Sequence, residues 1–182
     1  MTSILKVDNL QDASGTGSPY IKDAVLQVKQ GILRTVWVQT AGTTTFDDTP
    51  LSVVITPQST SSKILITGMI SFSGTVGDHI DFKVVRNDTD FLLSTETMGN
   101  RIKSHIHHHI PAGAAYQIQA AALNLLDEPS STSALTYKLQ AATPNNAAFQ
   151  AALNTVDPQA SNYDAAYNAY TVSTITAMEI GG

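Results

Sequence analysis

The feature that most constrains this chain is the two-residue period of its apolar positions. In an extended strand successive side chains point to opposite faces, so an apolar residue at every second position builds one buried face. Leu51, Val53 and Ile55 follow that rule in LSVVITP, and Ile64, Ile66, Ile70 and Phe72 follow it in KILITGMISFS, with Gly68 in the same row. Ile80, Phe82 and Val84 repeat it in HIDFKVV, Leu135, Tyr137, Leu139 and Ala141 in ALTYKLQA, and the chain closes on VSTITAMEI. Turn-forming clusters separate these runs: AGTTTFDD, TPQSTSS, SGTVGD, RNDTD, MGN, IPAGA, DEPSSTS and TPNN. Short alternating strands divided at regular intervals predict a sandwich or barrel rather than alternating strands and helices. Tyr163, Tyr167 and Tyr170 have helix-like spacing in NYDAAYNAY, but that run is too short to change the class. The expected fold is all-β, an antiparallel two-sheet sandwich of jelly-roll type.

Composition narrows what such a sandwich can do. Ser and Thr make 38 of 182 residues, and charged residues are 14%, few for an isolated soluble domain. A net charge of -5 with scattered Lys and Arg speaks against nucleic-acid binding, which needs a basic patch. Without cysteine there is no disulfide, zinc-thiolate site or thiol nucleophile. The N-terminus lacks the basic and apolar segments of a secretory signal, and no apolar run reaches the ~18 residues needed to insert in a membrane.

Residues 1–30 read differently from the rest. Asp12 to Pro19 is a turning, flexible stretch between ILKVDNL and DAVLQVKQ, so 1–30 is expected to form an attachment arm and 31–182 the head domain.

Five stretches occur in an order shared with a known group of proteins: TSILKVDNLQDASG, VLQVKQ, ITPQSTSSKILI, NLLDEPSSTSALTYKLQ and TVSTITAMEI. In that order the chain resembles small fibre or appendage proteins of tailed bacteriophages, especially those of marine and cyanobacterial hosts. The resemblance implies a non-enzymatic structural protein located in the virion, with a homotrimeric jelly-roll head similar to tumour-necrosis-factor-like modules. It implies tail or head fibres anchored through the arm to other virion proteins, with a host receptor or glycan as a further partner. The alternative is a capsid decoration protein that touches no receptor. No cofactor is implied.

The histidines depart from that pattern. KSHIHHHI, residues 103–110, holds four of the five in the chain. Alternation places Ile102, Ser104, Ile106, His108 and Ile110 on a core face, and Arg101, Lys103, His105, His107 and His109 in a polar row. That row is expected to face solvent or a subunit contact. Three copies around an axis could instead bring His105 and His107 together at a metal, and clustered imidazoles could also make a pH-dependent contact; the sequence assigns no metal site.

Enzyme signatures are absent: there is no nucleophile elbow, P-loop, dinucleotide fingerprint or H-E-x-x-H. The pair Asp127-Glu128, before Pro129, reads as a solvated turn, and Asp88 and Asp90 as a hairpin rather than a calcium loop. Trp37 lies on a polar strand face, which suggests cover by the arm, a neighbouring chain or its own loops. Tyr163, Tyr167 and Tyr170 are the candidates for outside recognition, with packing back onto the domain as the other reading.

Overall fold

A computed structural model describes residues 23–39, 42, 44–97, 99–144 and 148–182. Among them are eleven strands and no helix. In chain order they are β1 (Val25–Leu33), β2 (Trp37–Val38), β3 (Asp47–Ile55), β4 (Lys63–Gly74), β5 (His79–Arg86) and β6 (Thr89–Asp90). Then follow β7 (Ile106–His109), β8 (Gln119–Asp127), β9 (Leu135–Ala142), β10 (Ala151–Leu153) and β11 (Ser173–Ile180).

All pairings are antiparallel and fall into two sheets. Sheet A centres on the long β4, which pairs β8 along one edge and, along the other, first β11 and then β10. β1 extends it beyond β11, and β2 beyond β10. Sheet B runs β3-β9-β5, and the outer edge of β5 is shared by β7 at His79–Phe82 and β6 at Val85–Arg86. The two-sheet sandwich expected from the period is therefore present.

The alternating positions supply its core. Leu51, Val53 and Ile55 from β3 meet Ile64, Ile66, Ile70 and Phe72 from β4, and Ile80, Phe82 and Val84 from β5, all buried. Phe72 and Phe82 join the sheets ring edge to ring face, with centroids 5.1 Å apart. On one side the sandwich is pinched shut where β1 crosses β3. A Cβ on Gly31 would stand 1.9 Å from the Ser52 carbonyl oxygen, so no larger residue fits there. Pro50, exposed midway along β3, sits on a sheet edge, where its missing N–H costs no ladder bond.

Buried polar groups tie the layers. Asp127 is not the solvated turn residue expected: it ends β8 buried, and Arg86 Nη1 of sheet B donates to both of its oxygens at 2.7 Å. Tyr137 donates its hydroxyl to the same carboxylate at 2.6 Å. Burial, and then the neighbouring carboxylate, drive the Tyr137 phenol far above its ordinary pKa, so it remains a donor. Glu128, by contrast, is exposed and pairs Lys63 at 2.8 Å. Glu179 is wholly buried on β11 and accepts from Gln27, Ser62 and the Gln58 amide, binding both neighbouring segments to the C-terminal strand.

Residues 25–30, placed with the arm by the sequence reading, form the start of β1 and pair with β11. The remainder of the arm, including Asp12 to Pro19, lies outside the described residues, as do parts of the AGTTTFDD, MGN and TPNN clusters. Asn87 and Asp88 make the two-residue turn between β5 and β6, both at positive φ (48° and 61°), the left-handed pair that suits a tight hairpin. Asp88 and Asp90 there answer Lys138 and Lys83.

Candidate functional site

The histidine cluster lies on the outer face of sheet B. Ile80, Phe82 and Val84 point into the core, so His79, Asp81 and Lys83 point outward. Antiparallel register sets His79 opposite His109 and Asp81 opposite His107. The outcome is a two-by-two grid. The His79 ring stacks on His107 at 5.2 Å and 17°, and lies 4.8 Å from His109.

Alternation holds for His107, His108 and His109 and fails for His105. His108 turns to the core, edge-on to Phe72 at 5.2 Å, as its place in the Ile106–Ile110 row predicts. Its imidazole is held below the ordinary pKa by desolvation and then by its neighbours His107 and His109. His105 precedes β7 in a bend. Its ring folds against Phe91 at 5.9 Å, and its Nδ1 accepts the Val84 amide at 3.0 Å. That amide falls on the β5 edge between the residues paired with β7 and those paired with β6, so the imidazole supplies the acceptor a strand would have provided. Burial lowers its pKa, partly offset by the Phe91 backbone. An Nδ1 that accepts must be unprotonated. His105 and His107 thus have different surroundings, and among the described residues no group of three or more His, Asp or Glu converges on a metal position.

Asp81 is the residue sequence reasoning missed. It is buried although it stands on the outer face, because the segment before β7 runs over it. Its Oδ1 accepts from Ser104 Oγ at 2.6 Å and lies 3.1 Å from His107 Nδ1, while among the described residues its Oδ2 has no partner. Beside it opens a cavity of about 620 Å³, walled by residues 100–102 on one side and by Thr44 and Pro144 on the other. The signal in the sequence was an aspartate inside HIDFKVV; its cover by a distant segment has no local signature. Serine, histidine and aspartate meet here, but Ser104 gives its proton to Asp81 rather than to a ring nitrogen. The nucleophile–base contact of a hydrolytic triad is missing from this arrangement.

The remaining expected residues are elsewhere. Trp37 lies in β2, pairs Leu153 of β10, and packs partly buried against the core of its own chain. Tyr163 and Tyr167 occupy successive turns between β10 and β11, and Tyr170 the irregular stretch that follows, with no helix. Tyr163 is half-buried and accepts a hydrogen bond from Thr155 at 3.3 Å, whereas Tyr167 and Tyr170 are 70% and 68% exposed. Tyr167 meets Tyr116 edge to face at 6.0 Å, which makes a small aromatic surface.

The outer face of sheet A is of another kind. Register aligns Val28, Met178, Leu65 and Leu126 in one row across four strands, and Ile32, Thr174, Met69 and Ala122 in another. Gln30, Thr176, Thr67 and Asn124 fill the row between. None of these twelve positions carries a charge, and Met69 is 57% exposed.

No protein-family model matches the chain, and no curated protein matches it.

Proposed function

We propose that the chain is a non-enzymatic structural protein of a virion, a homotrimeric tail or head fibre whose sandwich is a jelly roll of the tumour-necrosis-factor-like kind. The three uncharged rows on the outer face of sheet A carry this reading. Contiguous exposed apolar rows are costly on a monomer and commonly mark an interface. Here they lie across four strands of a sheet whose shape is fixed by its ladder. A second copy of the chain is the occupant favoured, because uncharged rows need no oppositely charged partner. The number three comes from the resemblance of the five ordered stretches to phage appendage proteins, which also supplies the attachment role of the arm. Tyr116, Tyr167 and Tyr170 are the residues favoured for contact with a host surface, since their large rings are presented at small entropic cost.

Gold-labelled antibody against residues 31–182 tests the reading on intact particles from a producing lysate. Label at discrete projecting points is expected. Label spread evenly over the capsid would replace the fibre with the decoration alternative, and label confined to free protein would refute both.

A further inference from the structure

The cavity beside Asp81 has a chemistry that the structural role does not use. Its volume, about 620 Å³, falls in the ~300–1,000 Å³ range of small-molecule sites. Asp81 in its wall is a buried carboxylate; Oδ2, unpartnered among the described residues, has almost no accessible surface, so a ligand meets the carboxylate at Oδ1, where His107 lies. A carboxylate only accepts hydrogen bonds, so the site favours a ligand that brings donors. Three classes of donor can be compared. An anion would meet the Asp81 charge at close range. An organic cation would gain from Asp81 but face the Arg101 guanidinium, which lines the same cavity. A neutral, hydroxyl-rich molecule incurs neither penalty. Its hydroxyls suit Asp81, Asn100 and Arg101, and its C–H faces suit Ile102 and Pro144.

We propose that this cavity binds a small neutral polyol of the monosaccharide class, with Asp81 as the acceptor in its wall. The His107 side chain is 59% exposed and holds Asp81 Oδ1 by a contact of 3.1 Å, so it has room to turn aside while a ligand hydroxyl takes its place on the carboxylate. Ser104 keeps its own bond to Oδ1 and holds the carboxylate in position. His105, engaged with the Val84 amide, stays out of the exchange. The proposal is independent of how copies associate through sheet A, because the cavity lies on the opposite sheet.

The test is a titration of the full chain with glucose, galactose, mannose and N-acetylglucosamine separately, up to tens of millimolar, reading the histidine ring signals by NMR. At least one sugar should shift His79 and His107 saturably and leave His105 unmoved. Asp81→Asn should weaken that sugar at least about tenfold, because an amide nitrogen in place of one oxygen donates where the ligand needs an acceptor. Ile102→Trp, which fills the cavity while keeping Asp81 itself, should abolish binding and serves if the Asp81 variant does not fold. Failure of all four sugars to shift the rings overturns the proposal. So does an equal response in the Ile102 variant, or putrescine or acetate moving the same signals at lower concentration than any sugar.

Discussion

Replacing His105 separates two roles a histidine can have at a sheet edge. If its function is to accept the Val84 amide through Nδ1, as the 3.0 Å contact indicates, an asparagine should substitute well. The asparagine Oδ1 can occupy nearly the place of Nδ1, whereas a glutamine oxygen falls near Nε2. His105→Asn is therefore expected to cost under about 1 kcal/mol. His105→Leu, which leaves the amide without an acceptor, should cost about 1–3 kcal/mol. For a head of this size each kcal/mol is about 2–4 °C, so the leucine variant should melt some degrees below the asparagine variant. pH supplies a second test. The folded-state pKa of His105 lies below its ordinary value near 6.5, so the unfolded chain binds the extra proton first. Stability is then fully present above about pH 6.5 and is lost as pH falls from there toward the depressed value, at up to ~1.36 kcal/mol per unit. His108 shifts in the same direction and adds its own part. Denaturant titrations from pH 8 to pH 5 should show a stability slope in the parent that is smaller in His105→Asn. Equal stability of the leucine and asparagine variants, or an unchanged slope, would refute the role given to the imidazole.

Asp127→Asn removes the charge that answers Arg86 between the sheets, and should cost about 3–5 kcal/mol in a denaturant melt. Glu128→Gln, one residue on, should change stability by less than about 0.5 kcal/mol, since its pair with Lys63 is exposed. Gly31→Ala would drive a methyl into the Ser52 carbonyl and should destabilise the head by at least about 1–3 kcal/mol, read from the same melts. Removing residues 1–22 should leave a cooperatively melting head that no longer joins particles. Removing 1–30 should also lower its melting temperature, because Gln27 and its bond to Glu179 go with the start of β1.

Much of the sandwich was legible in the sequence because its core strands bury one face each, and a single buried face writes a two-residue period. Ile64, Ile66, Ile70 and Phe72 are all wholly buried, as that period requires. His108 followed the same logic. The period said nothing of Asp81, Asp127 or Glu179, because each is buried by a segment distant in sequence: Asp81 under Ser104, Asp127 under Arg86 and Tyr137, Glu179 beside Gln27 and Ser62. His105 was misplaced for a related reason. Alternation applies inside a strand, and His105 sits in the bend that precedes one. The uncharged rows on the outer face of sheet A needed the register of four strands before they could be seen, and register is a property of pairs of segments.

Association through that face is the central claim, and sedimentation equilibrium at micromolar concentration tests it directly. The parent chain is expected to sediment as a trimer. A Leu65→Lys, Met69→Lys double variant, which sets two charges into the apolar rows, should sediment as a monomer while keeping a cooperative melt. A monomeric parent, or a double variant that remains fully trimeric, would contradict the account.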